Sequence, residues 1–182
     1  AFAGLLAENP TRGHGRRFLD VGRRIERALQ TIEMLRVGVA QAPFPDDACL
    51  EVVLQVADSS TTYRSRYLTA IRTRFVLELL LADEGNPRSV AFQIAMLLDR
   101  VGGLPHHDAG AATALDQTLA SGLLTLVREA RIDDLKRRDQ GGPRRTLEAH
   151  LRSLKSGVSE LSDAITALYL SHSTPSRLKS SF

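Results

Sequence analysis

The chain contains no tryptophan, and phenylalanine and tyrosine together make up 5% of its 182 residues. Proline occurs 7 times and cysteine once. Sandwiches and barrels draw on aromatic and β-branched residues, so a chain this poor in aromatics and rich in Leu, Ala and Arg leans to helix and away from an all-β fold. The one cysteine, Cys49, can close neither an internal disulfide nor a zinc knuckle. A lone thiol fits a reducing compartment, which points to a cytoplasmic protein. Long apolar runs are missing too. The longest, around Val76 to Ala82, is broken by Glu78 and falls far short of the roughly 20 residues of a bilayer crossing, so no membrane partner is expected.

A surplus of one charge sign is also lacking. Lys and Arg number 24 against 21 Asp and Glu, and residues 1–40, 41–101 and 102–182 carry +3, −2 and +2. Duplex phosphates call for a basic stripe with little acidic interruption, and no zinc-finger, RNA-recognition or helix-turn-helix spacing occurs. Nucleic acid is therefore not an expected partner. A nucleophile elbow, a phosphate loop and a dinucleotide fingerprint are all absent, and no cofactor is expected.

What is present suffices for one ordinary core, with 43% of residues hydrophobic. The opening AFAGLLAENPTRGHG has neither a basic n-region nor an apolar h-region and is not read as a signal peptide; its first residue, Ala, fits a cut or processed start. Phe18, Val21, Ile25, Leu29, Ile32 and Leu35 recur at steps of three and four, predicting a long amphipathic helix from Arg16 to about Val39. Ala40 to Phe44, with Pro43 and Pro45, stops it, and Asp46 or Asp47 can cap a second helix carrying Leu50, Val53, Leu54 and Ala57. After a break at Asp58-Ser59-Ser60, residues 61–83 carry one stripe of Tyr63, Tyr67, Ala70 and Ile71 and another of Phe75, Leu79 and Ala82.

Gly85-Asn86-Pro87 ends that segment and opens a helix, from Pro87 to Val101, on Val90, Ala91, Ile94, Met96, Leu97, Leu98 and Val101. Gly102 to Asp108 reads as a loop, followed by a helix from about Ala109 to Ala130, a short basic stretch from Arg131 to Arg138 and a turn at Gly141-Gly142-Pro143. The last helix runs from about Arg144 to Leu170 on Leu147, Leu151, Leu154, Val158, Leu161, Ile165 and Leu168. Residues 171–182 read as a flexible tail. The expectation is an all-α fold: a single antiparallel bundle of about six or seven helices in one domain over residues 1–170.

Three segments carry a resemblance. In FLDVGRRIERALQTIEML, Gly22, Arg23, Glu26, Arg27 and Ala28 match a G-R-x-x-E-R-A signature; Tyr63-Arg64-Ser65-Arg66-Tyr67 comes next, then Leu79 to Val90 with Asp83, Asn86, Pro87, Arg88 and Ser89. In this order they resemble the alpha-E domain family, an all-helical bacterial family with a Glu-Arg signature. Members look like two related halves, each with a Glu-Arg helix near its start, and this chain, with one such helix, resembles the C-terminal half or a shortened member. The resemblance implies an accessory domain without independent catalysis, encoded beside or fused to a circularly permuted ATP-grasp protein or a transglutaminase-like protein in a peptide-forming or peptide-modifying system.

Three roles are open to the signature. Gly22 can let a neighbouring helix approach, leaving Glu26 partly buried and paired with Arg64 or Arg66, which would fix two helices in register. Alternatively Arg23, Glu26, Arg27, Arg64, Arg66 and Arg88 converge on a polar pocket that grips a carboxylate, a phosphate or a peptide terminus. General acid chemistry by Glu26 is the third, although a carboxyl among arginines stays ionised and makes a poor acid. For the whole chain the rivals to an accessory module are an enzyme or ligand-binding site spanning two such domains, which a homodimer would rebuild, and a purely structural oligomerisation module. His106-His107-Asp108 reads as a solvated loop in place of a metal site, and Cys49, Tyr63 and Tyr67 read as packing residues.

Overall fold

A computed structural model describes residues 12–43, 46–104 and 111–169. Among the described residues all regular structure is helical, in eight α-helices and two π-helical turns. The first helix, α1 (Arg12–Leu35), buries Val21, Ala28, Ile32 and Leu35 along one stripe. It widens into a π-helical turn, Arg36–Ala40, where the Gln41 N–H reaches back to the Arg36 carbonyl at 3.0 Å. The wider turn brings both Val39 and Ala40 into the core. Gly38 lies against Val53 with no room for a β-carbon, which allows the next helix, α2 (Asp47–Val56), to cross closely. Asp46 occupies the N-cap position of α2, yet its side chain makes no cap bond and turns to Arg144.

Residues 61–83 are not continuous helix. Helix α3 (Ser60–Tyr67) ends at Leu68, a non-glycine residue held at a left-handed φ of 47°. Tyr63 holds the turn beyond it: its buried hydroxyl donates to the Ala70 carbonyl and accepts from the Arg72 N–H, both at 3.0 Å. Tyr67 stacks on Phe75 with ring centroids 4.6 Å apart. Helix α4 (Thr73–Leu77) then passes into the second π-helical turn, Glu78–Ala82, which buries Leu79, Leu80 and Leu81 together.

Helix α5 (Val90–Val101) is capped by Ser89, whose Oγ accepts from the Phe92 N–H at 3.0 Å. Asn86 instead ties the preceding loop, donating to the Leu79 carbonyl at 2.8 Å and accepting from the Arg88 N–H at 3.1 Å. Arg88 therefore stands ahead of the helix. Helices α6 (Ala111–Arg128), α7 (Ile132–Leu135) and α8 (Arg145–Tyr169) complete the fold, α7 lying within the expected basic stretch. The expected loop at His106, His107 and Asp108 and the expected tail at 171–182 lie outside the described residues.

The long helices α1, α5, α6 and α8 form a ring in which each packs on two neighbours. Asp20 near the start of α1 meets Arg100 near the end of α5 at 2.9 Å, and Arg36 beyond the end of α1 meets Glu148 in the first turn of α8 at 3.1 Å. Glu84 ahead of α5 meets Arg128 at the end of α6 at 2.7 Å. Neighbours thus run antiparallel around the ring, and one apolar cluster extends through it from Val21 to Ile165. On the α6–α8 side Gly157 gives the close fit: a β-carbon there would stand 2.7 Å from Leu123 Cδ2.

Helices α2, α3, α4 and α7 cover the end where α1 finishes, and a buried ion cluster fastens that end. Arg144, 4% exposed, donates to the Val39 carbonyl at 2.9 Å, the Lys136 carbonyl at 3.0 Å, Thr73 Oγ1 at 2.9 Å and the Asp46 carboxylate. Arg138 reaches the same carboxylate at 3.3 Å. Burial alone would raise the Asp46 pKa, but the Arg144 bond and the two guanidiniums outweigh it and hold the carboxyl below its ordinary value.

Candidate functional site

Helix α1 carries the signature on its outside. The buried stripe from Val21 to Val39 faces the bundle, and at 100° per residue Glu26 lies roughly 150° from its centre. Gly22, Arg23, Glu26 and Arg27 are accordingly exposed, while Ala28 is fully buried. The close approach expected at Gly22 is absent, since a β-carbon there would meet nothing within 4 Å. Nor does Glu26 pair with Arg64 or Arg66: its carboxylate accepts from Gln30 Nε2, one turn along, at 3.1 Å. Arg23 and Arg27 form no hydrogen bond or ion pair among the described residues. Arg24 holds α1 to α5 instead, donating to Gln93 Oε1 at 3.2 Å and lying over the Phe92 ring at 5.6 Å.

The other candidate arginines are dispersed. Arg64 is exposed and 3.9 Å from Glu51 on α2. Arg66 bonds Asp83, tying α3 to the loop ahead of α5, and this bond raises its guanidinium pKa above the ordinary value. Arg88 donates to Asp58, in the turn between α2 and α3, at 2.6 Å. Of the six candidates the structure brings two together. Arg27 and Arg88 line a cleft of about 220 Å³ between α1, the end of α2 and the approach to α5. Gln30, Thr31, Met34, Val56, Ala57, Pro87 and Gln93 complete its wall; Arg23, Glu26, Arg64 and Arg66 do not line it. Thr31 Oγ1 donates to the Arg88 carbonyl at 3.5 Å, which places the two arginines on one opening.

On the opposite flank of α1, Arg36 and then Lys155 bond Glu33 and lower its pKa to about 2. Sequence reasoning passed over the Asp46, Arg138 and Arg144 cluster, which joins residues far apart in the chain. It also passed over Asp116, fully buried, although an acid in register with Ala120, Leu123 and Val127 on a buried stripe is a readable signal. His150 is half-buried with Nε2 unpartnered, and burial pushes its pKa down. Among the described residues no three His, Cys, Asp or Glu side chains are grouped to hold a metal, and no helix is long and apolar enough to cross a membrane. Cys49 is half-buried and free.

A family model described as a predicted alpha-helical domain with a conserved ER motif matches residues 1–170. Among curated proteins, uncharacterised proteins of Mycobacterium tuberculosis and Mycobacterium bovis are 26% identical over 170 residues, covering 92% of this chain and 19% of theirs. The chain thus spans about a fifth of the length of the curated relatives it matches. No solved structure matches it.

Proposed function

Because the chain belongs to the Alpha-E family, we propose that it is an accessory binding module that docks through the outward face of α1 onto a circularly permuted ATP-grasp protein or a transglutaminase-like protein. In that role it serves a peptide-forming or peptide-modifying system as a scaffold and supplies no reaction of its own. What supports this is the placement of the signature: Arg23, Glu26 and Arg27 stand in solvent, where they hold neither the core nor a neighbouring helix. Side chains not engaged by their own fold are available to another surface, and arginine suits interfaces through its planar fork of donors. Leu19 and Val37, 40% and 55% exposed, flank the signature on the same side of the helix and add apolar contact at each end.

The test is co-elution on gel filtration with a circularly permuted ATP-grasp protein or a transglutaminase-like protein from the same genome. Wild-type chain is expected to elute with that partner, and Arg23→Glu is expected to elute alone with its melting temperature unchanged. Co-elution that survives the charge reversal, or no co-elution of the wild type, overturns the proposal.

A further inference from the structure

The cleft shared by Arg27 and Arg88 combines two chemistries in a volume of about 220 Å³. Met34, Val56, Ala57 and Pro87 give it an apolar wall, and Val56 is 70% exposed, an aliphatic side chain that the core does not use. Gln93, 1% exposed, makes the inner wall rigid: its Nε2 donates to the Pro87 carbonyl at 2.5 Å and its Oε1 accepts from Arg24. At the approach to α5, the Arg88 N–H is taken by Asn86 and the Phe92 N–H by Ser89. The available cations are therefore the guanidiniums. Arg27 has no partner among the described residues. Arg88 holds the carboxylate of Asp58, a residue 81% exposed at its side chain and kept at a φ of 50°. One carboxylate of the chain itself already occupies half of the anion-binding capacity.

We propose that this cleft binds the C-terminal carboxylate of a peptide that ends in an aliphatic residue. The carboxylate sits on Arg27 and Arg88, displacing Asp58 from the latter, and the last side chain rests on Met34 and Val56. A chain terminus carries its charge and its apolar group on one Cα, which suits a cleft whose cations and apolar wall share so small a space. An internal Asp or Glu has its apolar neighbour on the next residue, and both flanking chains must leave the cleft. Two charge-assisted guanidinium bonds give the recognition its strength. Exposed pairs such as Arg88–Asp58 contribute little, so displacing Asp58 costs little.

Titration calorimetry of the whole chain with acetyl-Gly-Gly-Leu, its C-terminal amide and a C-terminally amidated peptide with an internal Asp before Leu tests this. The free acid is expected to bind, and the two amidated peptides at least tenfold more weakly. Arg27→Gln, exposed and without a partner to lose, is expected to weaken the acid by roughly 10- to 100-fold, the value of a hydrogen bond to a charged group. Asp58→Asn, which keeps a side chain that tolerates positive φ, is expected to tighten it by roughly two- to fivefold. Equal binding of acid and amide, binding of the internal-Asp peptide as tight as the acid, no binding of the acid, or no loss in Arg27→Gln would each overturn the proposal. Arg23→Ala lies outside the cleft and gives Arg27 no new partner, so it is expected to leave peptide binding unchanged, which separates this site from the docking face.

Discussion

Asp46→Ala removes a carboxylate that the structure places against both Arg144 and Arg138, whose side chains are 4% and 12% exposed. Arg144 would keep its bonds to the Val39 and Lys136 carbonyls but lose its counter-charge, and Thr73 Oγ1 would lose the acceptor it meets at 3.2 Å. Taking one partner from a buried ion pair costs about 3–5 kcal/mol, because the remaining charge stays desolvated. With Asp46 itself 8% exposed, water reaches the gap and the lower end, about 3 kcal/mol, is expected. For a chain of this size that is a fall in melting temperature of about 6–12 °C. The assay is thermal unfolding monitored by circular dichroism, with the exposed Arg72→Ala as control, expected within about 0.5 kcal/mol of wild type. The pH dependence gives a second reading. A carboxyl held below its ordinary pKa in the fold adds stability above its unfolded pKa of about 3.9, and that stability is lost as pH falls through the folded pKa. The gap between wild type and Asp46→Ala should therefore be full at neutral pH and narrow below about pH 4. A variant that melts with the Arg72→Ala control, or a gap that widens in acid, would refute the cluster as the fastening of this end.

The same packing sets other outcomes. Gly22→Ala, in an exposed helix interior with open space around it, should gain about 0.5–1 kcal/mol in denaturant unfolding, whereas Gly157→Ala meets Leu123 and should lose stability. Tyr63→Phe leaves the Ala70 carbonyl and the Arg72 N–H without their partner, and should cost about 1–3 kcal/mol with faster hydrogen exchange at Arg72. A carboxyl NMR titration should find Glu33 with a midpoint near 2, and Arg36→Gln should move that midpoint up toward the ordinary range.

The four ring helices were legible because their apolar residues repeat at helical spacing over many turns. The π-helical turns at Arg36–Ala40 and Glu78–Ala82 were not, since a single widened turn leaves the apolar run intact while rotating the residues beyond it. The break after Tyr67 was hidden because neither Gly nor Pro marks it; the Tyr63 hydroxyl holds Leu68 to Arg72 in place through contacts that only the folded chain makes. Glu26 was misplaced for a subtler reason. Counting Phe18, Ile25 and Leu29 as core shifts the centre of the stripe toward Glu26, yet all three are only partly buried, whereas Ala28 is fully buried and pulls the centre away. The pairing of Asp46 with Arg144 joins residues 98 apart, for which no local spacing gives a signal.

The central claim is that the Glu-Arg signature serves a surface outside this fold, and melting the combined variant Arg23→Ala, Glu26→Ala, Arg27→Ala beside wild type tests it most directly. The bond lost inside the helix, Gln30 to Glu26, contributes about 0.2–0.5 kcal/mol, and alanine is a good helix former, so the melting temperature is predicted to stay within about 2 °C. A fall of about 6 °C or more would show that these residues hold the bundle together, and would contradict the account.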